Sequence, residues 1–412
     1  MKRAFFIKLK AGSLQFVLFI GVVIALLLLA VILLTQTQHT FENKKEQLIS
    51  TIQQTNALFK STSLPQQDID STLKISDSNW GLFKKRSVRN SRFEKRALIG
   101  NSRSKTSTKA LFVKDENRPL VLVGNTKIEG NVAISKSGLK AGNIAGVSFY
   151  GSSLVDGQVT SSKTELPSFD SNTKTYLKSL LSLMPSTLGA IDENYKPGGS
   201  LSNSFKNDTK VIYNDGAIDL YDGQLIGNII LKSATRITIT ANATLKDVII
   251  VAPVIEIKSG VTGYFHAIAS KAIEMGTNSN LQYPSSLILI DSDRSDDKNF
   301  RRTNHHQITV GENSIFKGNL MMLSENTNSK FEPQIIIGNN SAIHGEVYCE
   351  KSIELKGSVY GSVYAGSFIA KESGSTYLNH IYNGSIHGNS LPDNYAGLPF
   401  ENKNTSVAKW LY

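Results

Sequence analysis

The apolar positions of this chain fall into two regimes. Residues 16 to 34 read FVLFIGVVIALLLLAVILL, nineteen positions without a charge, a proline or a polar side chain. At about 1.5 Å per residue such a run crosses roughly the 30 Å hydrocarbon core of a bilayer. In that medium the backbone must satisfy itself, so the run is predicted to be a helix. From Leu111 onward the pattern changes to short β-branched runs with alternating apolar positions, separated by Gly, Asn or Asp. That pattern predicts strands joined by tight turns.

Several of the β segments repeat one another. Ile308-Thr309-Val310-Gly311-Glu312-Asn313-Ser314-Ile315-Phe316-Lys317-Gly318-Asn319-Leu320 matches the stretch Ile335 to Tyr348 nearly position for position. Val121 to Ile134 and Ile237 to Val251 follow the same plan, the latter with Ala241 and Asp247 at the glycine positions. One such unit cannot bury its apolar face alone, whereas stacked units share a continuous core and pair their strands in parallel. Gly and Asn supply the positive φ that the corners need. The expected fold is mainly β: an N-terminal transmembrane helix followed by a parallel β-solenoid (β-helix) with a short helical insertion near Tyr176–Met184. An antiparallel sandwich is the alternative arrangement of so many short strands.

The expected domain order is a basic leader (1–12), a membrane helix (13–35), a helical stalk (36–62) and a flexible basic linker (63–110). The solenoid (111–395) and a C-terminal tail (396–412) follow. The stalk rests on a ragged apolar stripe of Phe41, Leu48, Ile52 and Leu58 or Phe59. Lys2, Arg3, Lys8 and Lys10 precede the membrane run without an acid, whereas Lys44 and Lys45 beyond it are flanked by Glu42 and Glu46. That asymmetry places the N-terminus in the cytoplasm and the bulk of the chain on the other side. The apolar run is longer than the core of a cleaved secretory signal, which favours an uncleaved anchor.

Two resemblances follow from these residues. The stretch Val347 to Ala370, with its Gly357-Ser358-Val359-Tyr360-Gly361 phrase, resembles the repeats of bactofilin-like polymers and of large minor-pilin-like envelope proteins. Lys10-Ala11-Gly12-Ser13-Leu14-Gln15-Phe16 resembles the start of a type IV prepilin, which implies processing between Gly12 and Ser13. Both resemblances imply a structural role in a bacterial cell envelope, with self-assembly or another envelope protein as partner.

Charge adds one feature. Of the net +11, nine charges fall between residues 84 and 109, where ten basic residues face only Glu94. Lys84, Lys85, Arg86, Arg89, Arg92, Lys95 and Arg96 are the candidate contacts to an anionic polymer or surface. Only Phe83 and Phe93 accompany them, too few for a base-stacking platform, so nucleic acid is not an expected partner. A solvated linker is the plain reading of the run.

Candidate chemistry is sparse. Cys349 is the single cysteine, which excludes an intrachain disulfide and predicts a buried thiol. Asp291, Asp293, Asp296 and Asp297 are read as a polar loop neutralised by Arg294, Lys298, Arg301 and Arg302. His305 and His306, adjacent on a strand, would point to opposite faces. Asp219, Asp222, Asp247, Glu256 and Glu274 have no catalytic spacing. No cofactor, metal site or catalytic residue is expected. The expected function is a membrane-anchored structural or interaction protein. The alternatives are a polysaccharide-active β-helix enzyme and an adhesin for an anionic envelope polymer.

Overall fold

The computed structural model describes residues 11–60, 73–90, 93–103, 108–291, 306–325, 331–400 and 404–412. Arg92, Lys105, the leader cations Lys2, Arg3, Lys8 and Lys10, the acids Asp293, Asp296 and Asp297 with their basic neighbours, and His305 lie outside these residues. The chain is mainly β, preceded by one long apolar helix.

That helix, α1 (Ala11–Lys60), is continuous through the membrane run and the expected stalk. Its 50 residues measure roughly 75 Å. The apolar side chains from Phe16 to Leu34 are exposed, as are Phe41, Leu48 and Ile49 farther along. Burial begins only in the last turns, where Thr55, Leu58 and Phe59 are covered.

The expected flexible linker is instead a sheet over much of its length. β1 (Lys74–Trp80), β2 (Phe83–Arg89) and β3 (Glu94–Ser102) pair antiparallel in sequence order. Gly81 at φ +57° lets the chain reverse between β1 and β2. β2 and β3 bury their two faces separately. Val88, Ala97 and Ile99 meet Leu58 and Phe59 of α1, while Phe83 and Leu98 belong to a second cluster on the parallel sheet. The C-terminal tail is likewise a strand, Thr405–Leu411, paired antiparallel with β3. The linker segment is polar enough to read as a loop, and the few apolar positions it carries are the ones that decide its fold.

The remaining strands pair mainly in parallel, and the set of pairings closes on itself. Val211, Ile230 and Ile249 are register partners nineteen residues apart. The expected match of 308–320 with 335–348 is an observed register, with Phe316 on Ile343, Gly318 on Gly345 and Leu320 on Val347. Asn313 and Asn340 occupy equivalent corners at φ +57° and +55°. Gly318, Gly345 and Gly361 form a column in which no side chain fits, because a Cβ on Gly345 would lie 1.7 Å from the Gly318 carbonyl oxygen. Sequence order and stacking order differ at one end: Val363 pairs with Leu111, Leu111 with Val132, and Val132 with Val159.

The strand Thr244–Ile257 shows why some runs lack alternation. Val248, Ile250 and Ala252 face the inner core, whereas Ile249 and Val251 face the outer cluster. A strand covered on both faces is apolar throughout. The outer cover includes Phe83, Leu98, Leu398 and a helix, α2 (Ser171–Ser182), which starts five residues before the expected insertion. Asp170 caps α2 by accepting from the Thr173 amide at 3.1 Å. At its other end the buried Lys232 ammonium donates to the carbonyls of Leu180, Leu181 and Leu183 at 2.8, 3.1 and 2.7 Å.

Candidate functional site

Two places where residues far apart in sequence meet hold the candidate chemistry: the joint between α1 and the β domain, and a cleft beside α2.

At the joint, helix geometry leaves the last carbonyls of α1 without partners inside the helix. Arg86 supplies one, donating from Nη1 to the Leu58 carbonyl at 2.7 Å, and it also holds Asp77 at 2.8 and 2.7 Å. Thr405 Oγ1 donates to the Phe59 carbonyl at 2.9 Å. The Phe59 ring sits edge-on to Trp410 with centroids 4.9 Å apart. A guanidinium at a helix C-terminus also complements the helix dipole.

The basic run is therefore largely employed within the protein. Arg86 is buried, Lys95 donates to Asn56 at 2.9 Å and lies over the Trp410 ring, and Arg96 pairs with Glu94 at 2.7 Å. Lys84 pairs with Asp170 at 3.6 Å. Lys85 lies over the Phe205 ring, where burial and then the Arg96 charge push its ammonium below the usual lysine range. Arg89 is exposed. Gly12 and Ser13 sit exposed in the first turns of α1. Thus the structure gathers the described basic candidates on one small sheet.

The cleft has a volume of about 970 Å³. Its walls are the segment from Thr164 to Lys174, the strand ends at Tyr348–Ser352 and Gly366–Ser367, and residues around Lys114 and Asn379. Phe169 and Tyr348 meet edge-on at 4.3 Å, and Phe169 stacks on Phe400 at 5.0 Å. Glu350 enters with its Oε2 accepting the Ser324 amide at 2.6 Å, and Lys174 of α2 lies 3.9 Å from its other oxygen. One helical turn on, Lys178 pairs with Glu325. Burial raises the Glu350 carboxyl above its ordinary value despite the Ser324 amide, Lys174 and Lys178.

Behind this wall stands Asp291, which ends the strand Asn280–Asp291 instead of opening a solvated loop. It lies 2.7 Å from His306 Nδ1, accepts from Ser324 Oγ at 3.0 Å and lies 3.8 Å from Lys351 Nζ. Burial works to raise its carboxyl, yet His306, Ser324 and Lys351 together hold it below its ordinary value. Ser324 thus bridges two carboxyls whose environments push them in opposite directions. Glu350 faces the cleft, while Asp291 accepts from Ser324 and stands beside Lys351.

Sequence reasoning missed this cleft. Its one local signal is the pair Lys174 and Lys178, four residues apart on the same helix face. Asp291, Ser324 and Glu350 converge only through strand register. Cys349 is fully buried as expected, and desolvation pushes its thiol up to about 12. Of the scattered acids, Asp247 is buried against Lys409 at 2.6 Å, and Glu256 pairs with Lys258 at 2.5 Å. Among the described residues no three His, Cys, Asp or Glu side chains gather as a metal set. No family model, curated protein or solved structure matches this chain.

Proposed function

We propose that this protein is a single-pass, membrane-anchored component of a bacterial cell envelope, whose β domain is held outside the cytoplasm as a structural or interaction module. The observation that carries the reading is α1 itself. One helix is apolar and exposed at residues 16–34, then runs on as an exposed stem whose last turns are fixed to the β domain by Arg86, Thr405 and Phe59. The stem between Thr35 and Gln54 adds roughly 30 Å of rise, so the domain would stand clear of the bilayer surface. The charge asymmetry around the membrane run sets the orientation.

Within the same proposal, the parallel ladders are the coils of a β-solenoid. Support comes from the repeated nineteen-residue offsets at Val211, Ile230 and Ile249, and from the glycine column. Protease added to intact spheroplasts tests the topology. Loss of a C-terminal tag with retention of an N-terminal one supports it, and protection of both overturns it.

A pilus-like assembly is a second reading, favoured by exposed Phe41, Leu48 and Ile49 on the stem beyond the membrane run. Mass spectrometry of the mature N-terminus separates the two. A start at Ser13 or Leu14 supports prepilin-type processing, whereas an intact Met1 leaves the plain anchor.

A further inference from the structure

We propose that the cleft beside Glu350 binds an unbranched carbohydrate chain. Its volume of about 970 Å³ lies at the upper end of small-ligand clefts, roughly 300–1,000 Å³. A ligand of several small units fills such a space better than a single small metabolite.

The lining chemistry narrows the class. Glu350 and Lys174 stand 3.9 Å apart and present an acceptor and a donor side by side. Neighbouring hydroxyls of a pyranose ring need that arrangement, since each both gives and takes a hydrogen bond. The hydroxyls of Ser352 and Ser367, 2.8 Å apart on the wall, add groups that also serve in either role. Phe331 is 64% exposed at the rim, an aromatic ring with no cover over much of its surface. A sugar ring has an apolar C–H face and a polar edge, so it can lie on Phe331 while its hydroxyls reach the wall.

Other ligand classes fit less well. A lipid tail would take water from the serine hydroxyls and from the Glu350–Lys174 pair and offer no hydrogen bond in its place. A phosphate group would compete with carboxylates already beside two of the cleft's four cations, Glu350 at Lys174 and Asp291 3.8 Å from Lys351. The proposal does not depend on membrane topology, so its failure would leave the anchoring model intact.

The test uses the full chain in phosphatidylcholine nanodiscs, with isothermal titration of cellotetraose and of tetragalacturonate. The neutral and acidic probes separate a ligand read through hydroxyls from one read through its carboxylates. Binding of either with a Kd of about 1 mM or tighter is expected. Phe331→Ala and Glu350→Gln should each weaken it by about tenfold or more. Tyr221→Ala, an equally exposed aromatic outside the cleft, should leave it unchanged. Because Phe331 is exposed, its variant keeps the folded core, and thermal unfolding checks both. Absence of binding by both probes up to about 10 mM overturns the proposal. So does binding that both cleft variants leave intact.

Discussion

Replacing Arg86 with methionine should loosen the stem without unfolding the β domain. Arg86 is 4% exposed, and its bonds to Asp77 and to Leu58 are of two kinds. The two to Asp77 form an ion pair with a carboxylate about a third exposed, so solvent screening limits that part to about 1 kcal/mol or less. The buried bond from the guanidinium to the Leu58 carbonyl is of the charged type, about 1.5–3 kcal/mol. Methionine retains most of the apolar stem contact, so the loss should total about 2 kcal/mol, concentrated at the joint. In hydrogen exchange this appears as about 30-fold faster opening of residues 50–60, with the strands 342–372 unchanged. Arg89→Met, on the exposed end of β2, serves as the comparison and should change stability by about 0.5 kcal/mol or less. Equal exchange in the Arg86 variant and the wild type would refute the joint as described. Uniform acceleration across the whole chain would also refute it, because the loss would then be global.

Four further outcomes follow. Phe59→Ala removes a fully buried ring and its contact with Trp410, and should cost about 3–5 kcal/mol in urea unfolding. Gly345→Ala sets a methyl group against the Gly318 carbonyl and should cost about 1–3 kcal/mol or more, read as a lowered thermal midpoint. The Asp291 carboxyl is held below its ordinary value, so the stability it contributes is complete above about pH 4 and fades as the pH falls through the lower folded value; Asp291→Asn should flatten the acid limb of a midpoint-versus-pH curve. Cys349, buried and with its thiol pushed up to about 12, should resist a thiol reagent in the folded chain and react on unfolding.

What the sequence revealed depended on whether the deciding residues were neighbours. The apolar run of residues 16–34, its helical continuation and the near-repeat that sets Ile308 on Ile335, twenty-seven residues on, are local patterns or close echoes, and each was legible. β2 was not, because Phe-Lys-Lys-Arg-Ser-Val-Arg shows only two apolar residues. Lys84, Lys85 and Arg86 are accommodated by partners from elsewhere, Asp170, Phe205 and the end of α1. The cleft was hidden for a related reason. Asp291, Ser324 and Glu350 are separated by 33 and 26 residues and meet only after the parallel register is set.

The stacking order has a consequence for biogenesis. Leu111 pairs with Val363, so a strand made early waits for a partner synthesised about 250 residues later. At roughly 5–20 residues per second that delay lasts about 13–50 s. β3 waits longer still for Thr405–Leu411. The chain therefore cannot fold from its N-terminus outward as it is made. Nucleation falls to the middle strands, and the strands nearest α1 remain unpaired edges until Thr405–Leu411 arrives. Removing residues 405–411 should then harm the part of the protein closest to α1.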